Sequence, residues 1–179
     1  MAVAQKLTIE DFEKLPDELA HNHELEDGTL VDVSGKVPAH IRFRDYLAAR
    51  MLMQIEGQGL GLVLAEQEYQ FGDNAYGPDI SFFRPGKKAL LNRNRRVQLF
   101  VPDLAIEIVS KNDTFTSIVR KARRYIQYGT QEVWVFFIPS REVYFYSAAQ
   151  DLILRDHERF ESPLIPGFQV QLAELFDWE

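Results

Sequence analysis

Apolar residues in this chain gather into short runs bounded by turn formers. LVLAEQEYQF (62–71), PDISFF (78–83), LFVPDLAIEIVS (99–110), EVWVFFI (132–138) and VYFYS (143–147) are rich in β-branched and aromatic residues, the mark of strands. Two longer stretches follow the helical period instead. Residues 39–57 carry Ile41, Phe43, Leu47, Met51, Leu52 and Ile55 at that spacing, with Gly57 placed to end the helix. Residues 114–128 put Phe115, Ile118, Val119, Ala122 and Ile126 on one face, with Asp113 or Thr114 as cap and Gly129 as stop. Ahead of these, LTIEDFEKLP (7–16) opens as a short helix capped by Thr8, and HELEDGTLVDV (23–33) reads as a hairpin turning at Asp27–Gly28. In the tail, LILRDHERF (152–160) fits a strand and LAELF (172–176) a short helix. From residue 39 the order is α–β–β–β–α–β. That predicts an α/β fold, a mixed central sheet flanked by helices, with an N-terminal helix and hairpin as an extension. No repeat or linker divides residues 1–179, which read as one domain.

Composition narrows the chemistry. The chain has 179 residues and no cysteine, so it can bury a core but can form neither a disulfide nor a thiolate metal site. No apolar run approaches the ~20 residues of a membrane span, and MAVAQKLTIEDFEKLP lacks the apolar stretch of a secretory leader. The expectation is a cytoplasmic protein without a membrane partner. Net charge is −7, yet residues 80–128 hold eleven Lys/Arg against three acids, net +8, leaving −15 on the remainder. Arg84, Lys87, Lys88, Arg93, Arg95 and Arg96 crowd one connection within that segment. They form either a solvated loop or a surface that faces phosphate.

Some motifs can be set aside. GQGLGLVL (57–64) follows a helix and enters a strand, the reverse of a dinucleotide fingerprint. His21, His23 and Glu24 lie close together but lack a matched second group for a structural zinc. His40, at the start of the long helix, is either a capping or orienting group or ordinary helix-end polarity.

Glu107 interrupts the apolar run LAIEIV. Alternation puts Asp103, Ala105, Glu107 and Val109 on one strand face, with Leu104, Ile106 and Ile108 on the other. A buried, unpaired carboxylate costs several kcal/mol, so this one needs a salt bridge, a proton or a metal. Asp103 lies ~13 Å along the strand, too far to share an ion. Asp79 lies on the preceding strand, and neighbouring strands run ~4.8 Å apart. Asp79 and Glu107 side by side, with the backbone carbonyl of Ile108 and waters, would hold Mg²⁺ or Mn²⁺. Asp103 is left to shape the strand's entry. On the following helix Arg120 and Arg124 fall on the solvent side. Lys121 falls at the border of the apolar face, on the flank of Thr114, Tyr125 and Tyr128. It either snorkels there or brings its ammonium to the carboxylates.

With these residues in place, the chain resembles the PD-(D/E)XK nuclease superfamily and, more narrowly, its Uma-two branch. The likeness rests on LTIEDFEKLP, HELEDGTLV, PAH before the long helix, GPDISFF, PDLAIEIVSKND, Lys121 through Tyr125, YGTQEVWVF and LIPGF, in that order. The resemblance implies a restriction-endonuclease-like core. It implies Asp79 as the motif aspartate, Glu107 as the (D/E) residue and Glu24 as a third carboxylate near the metal. It also implies Lys121 as the motif lysine moved from strand to helix. Residue 109, where the standard motif has lysine, is Val109. Lys111 keeps the strand's parity and stands in reserve, with Tyr125 and His40.

The function expected from this is Mg²⁺- or Mn²⁺-dependent hydrolysis of DNA phosphodiesters. Asp79, Glu107 and Lys121 would do the chemistry, with Glu24, and residues 84–96 would hold the backbone. The competing readings are a catalytically silent binding or assembly module on the nuclease fold, and a hydrolase of a smaller phosphate ester. Tyr144, Phe145 and Tyr146 fit either a homodimer surface or a second buried sheet face.

Overall fold

The computed structural model describes residues 6–177. Two short helices, α1 (Ile9–Glu13) and α2 (Asp17–Ala20), lead into the hairpin β1 (His23–Glu26) and β2 (Thr29–Asp32). The long helix α3 (Pro38–Ile55) precedes β3 (Leu62–Ala65), β4 (Glu68–Phe71), β5 (Asn74–Tyr76) and β6 (Ile80–Phe83). A basic connection with a 3-10 turn at Pro85–Leu90 leads to β7 (Val97–Gln98) and the central strand β8 (Leu104–Ile108). Helix α4 (Phe115–Gln127), β9 (Glu132–Phe137), β10 (Glu142–Ser147), β11 (Asp151–Arg155), β12 (Arg159–Glu161), β13 (Gln169–Gln171) and α5 (Leu172–Phe176) complete the described chain.

The principal sheet has six strands in the order β11-β10-β9-β8-β6-β3, with β8 and β9 parallel and the other neighbours antiparallel. Within it, α3, β3, β6, β8, α4 and β9 form the expected α–β–β–β–α–β core. One face of the sheet receives α3, whose Phe43, Leu47, Met51 and Ile55 are buried with Ile80, Leu104, Ile106 and Ile108. The other face receives α4, through Ile118, Ala122 and Tyr125 against Ala105, Val133 and Val135. The alternation of β8 is what separates these two sets.

Several boundaries differ from the sequence reading, each for a physical reason. Residues 62–71 are two strands in different sheets. The chain breaks at Glu66, whose φ of 54° turns it out of extended conformation, so the run's alternation continues while its direction does not. β4 then joins a second sheet, ordered β2-β1-β5-β4-β7, in which the short β5 and β7 go beyond the strands expected. Helix α3 passes into a 3-10 turn at Glu56–Gln58, and the left-handed cap falls on Gly59 (φ 69°) rather than Gly57. LILRDHERF is β11 and β12 around a turn, not one strand. Phe115 caps the apolar face of α4 at the surface, 56% exposed against Phe137 and Tyr144. Phe145 and Tyr146 are buried, on the two faces of the principal sheet, and Tyr144 is half-buried beside Phe115 and Phe137.

Arg124 departs furthest from its expected solvent position. Its guanidinium reaches Glu26, Asp27, Asn74 and Tyr76, because the second sheet packs along the flank of α4 that a single-partner helix would leave open. Among the described residues no helix is long and apolar enough to cross a membrane.

Candidate active site

Strands β6 and β8 pair with Ile80 opposite Ile106 and Phe82 opposite Leu104. Continuing that register sets Asp79 opposite Glu107 and Pro78 opposite Ile108. In an antiparallel pair every second residue exchanges both backbone hydrogen bonds, so Pro78 would be the next ladder partner of Ile108. Proline has no N–H to give. The ladder therefore stops, the Ile108 carbonyl is released from β6, and the Ile108 N–H turns to Asp79 Oδ2 at 2.8 Å. The Pro–Asp pair thus places a carboxylate at the spot where the sheet lets go of its neighbour.

Asp79 is 4% exposed. Its Oδ1 meets His40 Nε2 at 2.9 Å and Lys36 Nζ at 3.3 Å. His40 sits in the first turn of α3, and its Nδ1 lies 3.0 Å from Ser110 Oγ just past β8, which fixes the ring between the two elements. Burial works to raise the Asp79 pKa, but the His40 bond, the His40 and Lys36 charges and the Ile108 amide hold it below its ordinary value.

Glu107 is 6% exposed. Lys121 and Tyr125 stand four residues apart on one flank of α4, and both reach it. Tyr125 donates its hydroxyl to Glu107 Oε1 at 2.6 Å, and Lys121 Nζ lies 3.0 Å from the same oxygen. The Lys121 ammonium also donates to Glu24 Oε1 at 2.8 Å, which accepts the Gly77 N–H at 2.9 Å. Glu24 comes from β1, so the second sheet contributes to the site. Burial pushes Glu107 up to about 7 against the pull of Lys121, with Asp79 and Glu24 repelling its charge. Lys121 is held charged, its desolvation outweighed by Glu107 and Glu24. Burial and the neighbouring Glu107 drive the Tyr125 phenol well above its usual range.

Asp79, Glu107, Glu24, Lys36, His40 and Lys121 line a cavity of about 320 Å³, next to a cleft of about 990 Å³ that shares Glu24, Lys36 and Gly77 with it. The donor set suits a hard cation. Protein donors to Glu107 and Glu24 fall on Oε1, leaving Oε2 of each without one among the described residues. Among the described residues no three His, Asp or Glu side chains converge on one ion position. Mg²⁺ characteristically takes only one or two protein carboxylates and keeps its waters, so Asp79 and Glu107, with the freed Ile108 carbonyl, fit it.

The structure therefore brings together Asp79, Glu107, Glu24, Lys121, Tyr125, His40 and Ile108. It does not bring Lys111, which is exposed and outside the cavity lining. His23 Nδ1 meets the His21 carbonyl at 3.2 Å, and both histidines line the larger cleft.

Most of the basic connection is spent inside the fold. Arg84 and Lys87 bind Asp103 at the opposite end of β8 from Glu107, at 3.3 and 2.9 Å. Arg95 faces Glu13, and Arg96 pairs with Glu68 at 2.8 Å and stacks over Phe12. Lys88 and Arg93 are exposed. Sequence reasoning missed Lys36, Ser110 and Glu66. Lys36 lies in a connection, while Glu66 and Ser110 fell inside runs that read as strands, and the only hint was Lys36 standing shortly before the PAH stretch.

The α–β–β–β–α–β order on one mixed sheet is a restriction-endonuclease-like α/β core, a nuclease-type fold. The chain belongs to the Uma2 family, described as putative restriction endonuclease, whose model matches residues 9–173. A putative nuclease belonging to DUF820 from Anabaena variabilis ATCC 29413 has the same fold, with a TM-score of 0.86 and 22% identity over 96% of this chain and 98% of that one. A DrdV–DNA complex aligns over 76% of this chain and 11% of that one at 14% identity; its TM-score of 0.40 supports no structural inference. No curated protein matches the chain.

Proposed function

We propose that this protein is a metal-dependent endonuclease that hydrolyses DNA phosphodiester bonds with Mg²⁺ or Mn²⁺. The observation carrying the reading is that Asp79 and Glu107 face each other across β6 and β8 with Glu107 Oε2 undonated. Asp79, Glu107 and the Ile108 carbonyl would hold the ion, with Glu24 behind Lys121. Bound there, a divalent ion supplies Lewis acidity and a more acidic water. The Lys121 ammonium stabilises the negative charge that develops on the phosphorane oxygens. Tyr125 and Gly77 fix the two carboxylates that hold Lys121 in place. The water oxygen forms the new bond to phosphorus, the bond to the leaving oxygen breaks, and solvent carries the proton from one to the other.

Calorimetric titration of Mn²⁺ into the wild type and Asp79→Asn, followed by plasmid nicking, tests this. Binding and nicking in the wild type, both lost in the variant, is the expected result. A wild type that takes up no Mn²⁺ at millimolar concentration would sink it. One observation favours a second reading, a silent binding or assembly module. Four of the six arginines and lysines expected to grip a phosphate backbone are bound to carboxylates of the chain itself. Mn²⁺ binding without cleavage of duplex or single-stranded DNA would bring that reading forward.

A further inference from the structure

A carboxylate offers about four lone-pair positions to hydrogen bonds or metals. Hydrogen bonds take two of the Asp79 positions, from His40 on Oδ1 and the Ile108 amide on Oδ2, and the Lys36 ammonium covers a third as an ion pair 3.3 Å from Oδ1. One remains. Sites that clamp a phosphate between two ions set them ~3.5–4 Å apart, commonly on a shared carboxylate. Here the second position on the shared carboxylate already holds a charge, and that charge is an ammonium.

Lys36 lies between β2 and α3. Its Nζ stands between Asp79 Oδ1, at 3.3 Å, and Glu66 Oε1, at 2.5 Å. Glu66 would be the natural further ligand for a second ion, but the same oxygen also serves Arg44. Glu66 is anchored as well: its N–H donates to the Asp79 carbonyl at 3.2 Å, and its left-handed backbone turns the side chain toward α3. The Lys36 side chain is 29% exposed and lines both the small cavity and the larger cleft. Its ammonium therefore faces the space a phosphate would occupy. Lys121 stands on the far side of the carboxylate pair, bound to Glu107 and Glu24.

We propose that Lys36 is the second cation of this site: the chain takes one divalent ion, and the tethered Lys36 ammonium stands where a second ion would otherwise share Asp79. This rests on the metal-dependent reading above. Lys36 contributes charge toward a phosphate oxygen and donates no proton.

The test is the stoichiometry of Mn²⁺ binding by calorimetry, with folding checked by circular dichroism, in wild type, Lys36→Ala, Lys36→Met and Lys36→Arg. One ion per chain is expected for the wild type and Lys36→Arg, and two for Lys36→Ala and Lys36→Met. The methionine variant fills the space of the lysine stem, so it remains informative if the alanine variant does not fold. Two ions in the wild type, or one in both uncharged variants, would overturn the proposal and leave the metal site standing. No Mn²⁺ uptake by any of the four would remove the metal site and the proposal together.

Discussion

Two buried carboxylates mark strand β8, Asp103 just before it and Glu107 toward its exit, and their surroundings are opposite in kind. Asp103 is saturated. It accepts the Arg84 N–H at 2.8 Å and Gln131 Nε2 at 2.9 Å, and pairs with Lys87 and Arg84. Burial alone would raise its pKa, but the Arg84 amide and the Lys87 ammonium bring it below the ordinary value of 3.8. Glu107 has its named donors on one oxygen, two further carboxylates nearby, and a pKa pushed up to about 7. The same residue class is thus a finished structural joint at one end of the strand and an unfinished site at the other. On the proposed function, incomplete satisfaction of a buried charge is the feature that separates the site from the joint.

Glu107→Gln should widen that contrast most. Plasmid nicking is expected to fall by about 10³-fold, with Mn²⁺ uptake lost in calorimetry and the melting temperature unchanged or raised. Lys121→Met comes next. It should lower nicking by about 10²-fold while tightening Mn²⁺ binding, since a competing ammonium leaves Glu107; weaker Mn²⁺ binding would count against its proposed position. Asp103→Asn inverts the pattern, costing about 3 kcal/mol in urea unfolding without altering Mn²⁺ affinity. Because the folded pKa of Asp103 is depressed, its stabilising effect is present above 3.8 and is lost as pH falls through the folded value. The wild type and Asp103→Asn should therefore converge in stability under acid. The smallest effect belongs to Lys88→Ala and Arg93→Ala, each expected to reduce the salt dependence of DNA binding by about one unit of slope and to leave melting unchanged.

The parts of this molecule that follow from local periodicity were legible in advance. Alternation in LAIEI set Glu107 on the face opposite Ile106 and Ile108, the pair Pro78–Asp79 supplied its neighbour, and the helical period put Lys121 and Tyr125 on one flank of the following helix. What stayed hidden depends on packing between elements distant in sequence. Arg124 looked solvent-facing because a helical projection assumes one partner, whereas α4 is gripped by two sheets. LVLAEQEYQF looked like one strand because alternation reports which way side chains point and not whether the chain has turned, as it does at Glu66. His40 was noticed but not placed, because its partners Asp79 and Ser110 lie 39 and 70 residues away. The basic connection misled in the other direction. Charge counted along a sequence does not show that Asp103, Glu13 and Glu68 have already claimed it.

The contact between Glu24 and Lys121 spans 97 residues and ties the hairpin of one sheet to the helix packed on the other. Local structure can form early on any such chain, whereas closures over so long a loop come late. The strand pair β6–β8 can assemble with Asp79 and Glu107 in register while the lysine clamp between Glu24 and Glu107 is still missing. A nascent or partly unfolded molecule would then display its carboxylates without the cation that partners them. On that order of assembly the site would be complete only once both sheets have docked on α4.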